Sequence, residues 1–343
     1  MPVSIREVAA RAGVSLGTVS KVLNDSIGAQ IAAGTRDRVR VAARELGYYP
    51  SAVARALVRQ RTDTLGVIFP QFNSESPIRG GFFSLVFNEI LESAHVRKQD
   101  VTILSGRSWV DSPTSLPMFR DGRCDGYFVF FQHDDSDLLT AFASVNLPFV
   151  LVNDCRDDER IACVDVDNRD SGRRATQFLL QMGHQRIAHL PGNLPHAPVE
   201  GRLQGYRDAL EEAGIAFDTR FAPPGDYFFD SVTERVTNLM ALPPGERPTA
   251  LFCGSDGIAS NALRALGRLG LRVPEDVSVL GHDDLPDAAQ EHPPLTTMRQ
   301  PFPAIGKAVV DELLAIIAKT ATPGRKQLLP TQLVVRQSVA PPV

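Results

Sequence analysis

Between Val14 and Asp25 the chain reads V-S-L-G-T-V-S-K-V-L-N-D, and a helix there turns Leu16, Gly17, Ser20 and Lys21 outward. Small residues permit close approach to a groove, hydroxyls and helix-start N–H groups can hold phosphates, and a lysine can donate to guanine O6 and N7. That is chemistry for reading a nucleic acid. Catalysis has no comparable signature: G-x-G-x-x-G, G-x-x-x-x-G-K-[ST], H-E-x-x-H and G-x-S-x-G are all absent. His184, His189 and His196 are spaced by five and seven, not by the three or four that place ligands on one helix face. D-D-S-D at 134–137 and the acids of D-C-R-D-D-E at 154–159 read as solvated loops. No enzyme, catalytic residue, cofactor or metal is expected.

The elements that must carry the outward face are legible around it. Ser4 and Glu7 have the S-x-x-E spacing of a capping box, and Ile5, Val8, Ala9 and Ala12 form one apolar stripe behind it. Gly13 stops that helix, and Ser15 caps the next, whose inward face is Val19, Val22 and Leu23. Thr35 is the expected cap of a third helix, with Val39, Ala42, Ala43 and Leu46 inside and Gly47 as its stop. Three short helices with so tight a first turn make a helix-turn-helix unit. After Pro50, Ser51 can cap one or two further turns to Arg59, too short to be stable unless something packs on them.

Charge separates this end from the rest. Residues 1–61 hold ten Lys/Arg against four acids, a net +6, which leaves −10 for the remainder of a chain whose total is −4. A basic segment on an acidic body points to a polyanion for the small part only. At 343 residues and 43% hydrophobic composition, several domains are expected. Cys124, Cys155, Cys163 and Cys253 include no C-x-x-C pair and read as reduced thiols of a cytoplasmic protein. No signal-peptide core opens the chain, and no apolar run approaches the ~20 residues of a membrane span.

I-R-E-V-A-A-R-A-G-V-S-L-G-T-V-S-K-V-L-N, followed by T-R-D-R-V-R-V-A-A-R-E-L-G-Y-Y-P-S-A-V-A-R-A-L, resembles the headpiece and hinge of the LacI/GalR family of bacterial transcription regulators. The resemblance implies a second helix in the major groove and, in a homodimer, hinge helices in the minor groove of a pseudo-palindromic operator. By position, Leu16, Gly17 and Lys21 would face bases, Ser15, Thr18 and Asn24 would hold the DNA backbone, and Leu57 would wedge into a central base step. The loop from Asp25 to Gly34 is about two residues longer than the family's usual one.

From Thr64 onward, short β-rich runs alternate with helical stretches. T-L-G-V-I-F, V-T-I-L-S, G-Y-F-V-F-F and F-V-L-V-N form one series, and R-I-A-H-L, T-A-L-F-C and V-S-V-L-G-H a second. The fold class expected is α/β: the three-helix headpiece and hinge helix, then two doubly wound parallel lobes, like periplasmic binding proteins. Ligands of such sheets lie beyond the carboxyl ends of the strands. G-H-Q-R-I-A-H-L-P-G, G-R-L-Q-G-Y, V-P-E-D-V-S-V-L-G-H-D-D and P-P-L-T-T-M-R-Q-P-F extend the family resemblance through this region.

By position, the resemblance implies effector contacts from Arg202 and Asp283, apolar faces from Tyr227, Phe83 and Phe302, and secondary polar contacts from Ser255 and Asn153. Core packing is the competing reading for Phe83 and Phe302. His282 stands where an aromatic is common, Ser255 where asparagine is, and Asn153–Asp154 where an aspartate usually begins, which points away from the family's best-known sugars. The domains follow as headpiece 1–48, hinge helix and linker 49–62, and effector domain 63–343. Its first lobe is 63–163 plus 297–322, and its second 164–293 plus 326–340. A dimeric repressor controlled by a small polar metabolite, by default a sugar, is the expected function. The rival is a cytoplasmic sugar-binding or sugar-modifying protein with a helical appendage that does not touch DNA.

Overall fold

The computed structural model describes residues 3–24, 31–51, 55–56, 59–69, 81–104, 112–130, 137–193 and 196–342. Contacts divide the chain into two units, residues 1–64 with 122–125, and 65–121 with 126–343.

In the first unit, α1 (Ile5–Ala12), α2 (Leu16–Leu23) and α3 (Ala33–Leu46) close over Val8, Ala9, Ala12, Val19, Val22, Val39, Ala42 and Ala43. These are the small apolar positions of the three expected stripes. Glu7 accepts hydrogen bonds from the Ser4 backbone N–H at 2.7 Å and from its hydroxyl at 2.8 Å, which anchors the start of α1. Gly13 ends α1 in the left-handed conformation at φ 64°. Ser15 then caps α2, its Oγ accepting from Thr18 N–H at 3.2 Å. The third helix departs from the expected cap: it starts at Ala33, and Thr35 lies in its first turn. Ile31 packs into the core, and its carbonyl accepts from Arg36 Nε at 3.2 Å, so the chain enters the helix earlier than a capping side chain would require. At the far end of this unit, Asp125 accepts from Thr62 N–H and hydroxyl and from Asp63 N–H, which fixes the end of the linker. Leu57 and most of the longer loop, 25–30, lie outside the described residues.

The second unit contains two sheets. The first uses β1 (Thr64–Ile68), β2 (Asp100–Ile103), β3 (Gly126–Phe130), β4 (Phe149–Val152), β5 (Cys163–Val166) and β10 (Lys326–Leu329) in the order β10-β5-β4-β3-β1-β2. Helices α4 (Gly81–Val96), α5 (Ser112–Phe119), α6 (Leu138–Ser144) and α11 (Phe302–Ile317) accompany it. The second uses β6 (Ile187–Leu190), β7 (Ala250–Cys253), β8 (Ser278–Asp283), β9 (Thr296–Arg299) and β11 (Gln332–Val334), ordered β11-β9-β8-β7-β6. Its helices are α7 (Asn168–Gln181), α8 (Ala197–Glu212), α9 (Phe229–Met240) and α10 (Asp256–Arg268). Residues of β3, β4 and β7 are buried throughout, as expected of strands covered on both faces. The edge strand β11 pairs antiparallel with β9, an exception to an otherwise parallel sheet.

Sheet membership moves the lobe boundaries from their expected places. β5 stays with the first sheet to Val166, β9 belongs to the second, and β10 returns to the first. The chain therefore crosses near Asp167, near Gln300 and near Thr331, not near 164, 293–296 and 323–326. Asp165 interrupts the apolar run of β5, and β10 is a half-exposed edge strand, so neither carries a strong strand pattern.

The cysteine expectation is also corrected. Cys155 and Cys163 form a disulfide with Cα atoms 5.4 Å apart, while Cys253 is a buried thiol outside any disulfide. β4 and β5 are neighbouring parallel strands, so the loop between them folds back and brings together two residues eight apart. Among the described residues, no helix is long and apolar enough to cross a membrane, and no three or more His, Cys, Asp or Glu are grouped to hold a metal ion.

Two glycines decide how α7 and α8 meet. A Cβ on Gly205 would lie 2.0 Å from the Arg169 carbonyl oxygen, and one on Gly172 would lie 2.3 Å from that of Arg202. Both obstructions are backbone, so this close packing requires glycine. It also brings Arg202 of α8 onto the first turn of α7.

Candidate functional site

On the headpiece, Leu16 is 44% exposed, and Ser15, Gly17 and Lys21 share the exposed surface. Val19 and Val22 bury the opposite side of α2, so the exposed side is held rigidly. Ser15 Oγ lies 2.9 Å from Thr18 Oγ1, so these hydroxyls are mutually oriented at the positively polarised helix start. Asn24 ends α2, donating from Nδ2 to Ser20 Oγ at 3.2 Å while its carbonyl accepts from Arg59. Ser15, Leu16, Gly17, Thr18, Lys21 and Asn24 thus lie along one short helix and its two caps.

Between the lobes, polar groups gather at the carboxyl ends of the strands. Arg202 is buried and donates from a terminal nitrogen to Asn168 Oδ1 at 2.5 Å. Asn168 donates in turn to Asp165 Oδ2 at 2.9 Å, and Asp165 Oδ1 accepts from Val166 N–H at 2.7 Å. Asn153 follows β4 with φ 54° and is buried, with its side chain against the Asp165 carboxylate. Arg202 Nε and Gln300 Oε1 are buried without a partner. Unsatisfied buried polar atoms are uncommon in a folded protein, and a polar ligand would satisfy these two.

Asp283 ends β8 at φ 125°, a strained conformation for a side-chain-bearing residue. Its Oδ1 accepts from Gln300 Nε2 at 2.8 Å. The next two residues are tied down: Asp284 pairs with Arg299 and Arg336, both at 2.6 Å, and Leu285 N–H donates to Asp256 Oδ2 at 2.8 Å. Asp256 also accepts from Thr297 Oγ1 at 2.6 Å, and burial between the carboxylates of Asp283 and Asp284 raises its pKa well above the usual range. Asp256, Asn168 and Asp165 were not singled out from sequence. The run D-V-D-N at 165–168, polar residues following a buried strand, was the available signal.

Tyr227 is 42% exposed as a residue, yet enclosure of its hydroxyl raises its pKa, outweighing the nearby Arg202 charge and a backbone hydrogen bond from Asn193. Its ring lies directly on Gly192, where a Cβ would fall 2.2 Å from the phenol. Arg235 supports the turn before it, donating to the carbonyls of Asp226 at 2.5 Å and Pro191 at 2.8 Å. Tyr227, Arg202 and Asp283 therefore share one electrostatic neighbourhood.

Other expected contacts divide differently. Ser255 caps α10, its Oγ accepting from Ile258 N–H at 3.2 Å. Phe302 and Phe83 belong to the first-lobe apolar cluster, where Phe82 meets Phe302 at 5.8 Å and Phe83 at 5.6 Å between ring centroids. Core packing is the better account of Phe302, which is buried. Leu285, two residues beyond Asp283, packs against the same cluster, so the second lobe meets the first beside these aromatics.

The electrostatics of Asp165 give a pH test. Burial pushes its pKa up to about 7, against hydrogen bonds that favour the anion. An acid whose folded pKa is raised stabilises the fold below its unfolded value, here about 4, and loses that contribution as pH rises to about 7. Asp165→Asn removes the titration but also one acceptor, a cost independent of pH. The melting temperature of the variant minus that of the wild type should increase steadily from pH 4 to 7, as followed by calorimetry; a flat difference would contradict the assignment.

Residues 4–51 match the family described as bacterial regulatory proteins, lacI family, and residues 176–339 match the periplasmic binding protein-like domain. The HTH-type transcriptional regulator CelR of Thermobifida fusca is 34% identical over 339 residues, covering 98% of both chains. A solved complex of CelR with cellobiose aligns over 98% of this chain and 99% of that one, with a TM-score of 0.74 and 32% identity. A lac repressor dimer bound to operator and the anti-inducer ONPF aligns over 99% and 100%, with a TM-score of 0.83 and 30% identity. With the exposed face of α2, the two lobes and full-length similarity in agreement, the chain belongs to the lacI family and is a DNA-binding transcriptional regulator, not an enzyme.

Proposed function

We propose that this protein is a dimeric repressor, acting on DNA in the cytoplasm, that reads a pseudo-palindromic operator and is controlled by a small polar metabolite, a sugar by class, held between its lobes. One observation carries the ligand reading. Gln300, which donates to the strained Asp283, and Arg202, which shares its electrostatic neighbourhood, each keep a buried polar atom unsatisfied, as a preorganised ligand site does. The sugar class is supported by the cellobiose complex of CelR, and the dimer by the operator-bound lac repressor. Arg202 and Asp283 are the principal effector contacts, because a guanidinium fork and a carboxylate bind paired hydroxyls. Asn153, Ser255 and Tyr227 are secondary contacts, and Phe83 forms part of the apolar wall.

On the DNA side, Leu16, Gly17 and Lys21 face bases, Ser15, Thr18 and Asn24 hold phosphates, and Leu57 wedges the operator centre. Leu16 offers only apolar contact and Gly17 no side chain, so base reading leans on Lys21 and on deformability at the centre. The headpiece occupies 1–48, the hinge 49–62 and the effector domain the rest. Effector closure of the lobes changes the separation of the two hinges in the dimer.

Operator selected from random duplexes and titrated at increasing salt tests the DNA reading. Affinity should fall steeply with salt through counterion release. Lys21→Ala should cost about 1–3 kcal/mol and relax sequence preference, while Leu57→Ala should weaken operator binding much more than binding to random duplex. Salt-independent binding would overturn the regulator reading, and equal losses on both duplexes would remove the wedge.

A further inference from the structure

His282 lies near the end of β8, next to Asp283, and is fully buried. Its Nε2 lies 2.9 Å from Ser171 Oγ and its Nδ1 lies 3.1 Å from Asp283 Oδ1. Thr331 Oγ1 donates to Ser171 Oγ at 2.9 Å. All four residues are buried, His282 and Ser171 completely. The proton positions follow from these contacts. Ser171, having accepted from Thr331, donates its own proton to Nε2; the ring therefore carries its proton on Nδ1 and donates to the carboxylate. Burial also pushes the His282 pKa down against the neighbouring Asp283, so the ring stays neutral.

Ser171, His282 and Asp283 thus stand in the order of a hydrolase triad, but Ser171 is no nucleophile. Its hydroxyl is committed on both sides and fully enclosed, so no substrate carbonyl reaches it. What the set joins is of another kind. Ser171 follows the crossover near Asp167, Thr331 lies in the crossover between β10 and β11, and Gln300, the second donor to Asp283 Oδ1, lies in the crossover between β9 and α11. Arg174 adds a bond to the Thr331 carbonyl at 2.8 Å. All three passages between the lobes are thereby tied to one oxygen of one carboxylate. Both bonds to Asp283 fall on Oδ1, which leaves Oδ2 for a ligand.

We propose that His282 is a positioning residue: it ties the Asp283 carboxylate to the three lobe crossovers, so that a ligand taken by Oδ2 acts directly on the points about which the lobes move. The ligand part rests on the reading of Asp283 as an effector contact. The tie itself does not.

The test uses the full-length protein and begins without ligand. In protein labelled with 15N in histidine, the resonances absent from His282→Phe identify the ring, which should be the neutral Nδ1–H tautomer at pH 7. Ser171→Ala and Thr331→Val are small enough to keep the fold. In Ser171→Ala, hydrogen exchange should rise about tenfold, as for loss of one buried hydrogen bond, at Asp283–Leu285, at Gln300 and at Thr331 together. Thr331→Val should accelerate exchange at Asp283–Leu285, which its side chain does not touch. An Nε2–H tautomer in the wild type, or faster exchange confined to the substituted segment, would overturn the proposal. Calorimetry with cellobiose separates the two readings. If wild type binds and Asp283→Asn does not, Thr331→Val should weaken binding about fivefold or more, the lower end of ordinary site-to-site coupling; undiminished binding would overturn the proposal. If Asp283→Asn binds as well as wild type, the effector reading of Asp283 fails, and the tautomer and exchange results still decide the tie.

Discussion

Gly205→Ala should cost the effector domain about 3 kcal/mol, at the upper end of overpacking penalties, and lower its melting temperature by about 6–12 °C. The added methyl would lie 2.0 Å from the Arg169 carbonyl oxygen, and 2.6 Å from Arg173 N. Neither is the far end of a flexible side chain, so α7 and α8 must separate. Separation also withdraws Arg202 from Asn168, and effector response should be lost even at temperatures where the variant is folded. Gly267→Ala is the control, because a Cβ there meets nothing within 4 Å, and it should be neutral or slightly stabilising. Calorimetric melting of the two variants checks this; equal behaviour would show that the helices can part without cost.

The second large effect is expected at Arg202. Arg202→Ala removes a buried cation from the Asn168–Asp165 chain and leaves Asn168 Oδ1 unpaired. Leaving a buried polar group unsatisfied costs about 1–3 kcal/mol of stability. Truncating a buried charged hydrogen-bonding partner costs about 2–5 kcal/mol of binding, a loss of roughly thirtyfold or more in effector affinity. DNA binding in the absence of effector should be retained, since the headpiece does not depend on this side chain. Arg202→Lys should not rescue binding, because an ammonium cannot reproduce the planar fork that reaches Asn168 while presenting Nε elsewhere. Ligand-free melting and a thermal-shift titration with cellobiose measure the two parts separately. Full effector response in Arg202→Ala would remove it from the site.

The headpiece was readable almost completely, because its determinants are local. The stripes at Val8, Val19 and Val39, the stop at Gly13 and the cap at Ser15 each act within a few residues of themselves. Thr35 is not the cap because Ile31, partly buried against the headpiece core, brings the chain into α3 at Ala33, ahead of the capping signal. In the lobes, β3, β4 and β7 were visible as unbroken apolar runs, whereas β5 and β10 were not: one carries the buried Asp165 and the other is a half-exposed edge. Those two strands displaced two of the crossings, and β9, which stays with the second sheet to Arg299, displaced the third.

The cleft shows the same division. Arg202, Asp283 and Tyr227 were expected in one place and share one neighbourhood, while Phe302 belongs to the core. Nothing in the spacing of Ser171, His282 and Thr331 could bring them together, since they are 111 and 160 residues apart along the pairs that bond. The Cys155–Cys163 bridge likewise depends on the register of β4 against β5. Local order alone therefore determined that a basic helix-turn-helix precedes two α/β series, because capping, periodicity and charge are properties of neighbouring residues. Which buried polar groups meet depends on strand order and on how closely two helices approach, and contacts between distant residues exist only once the chain has folded.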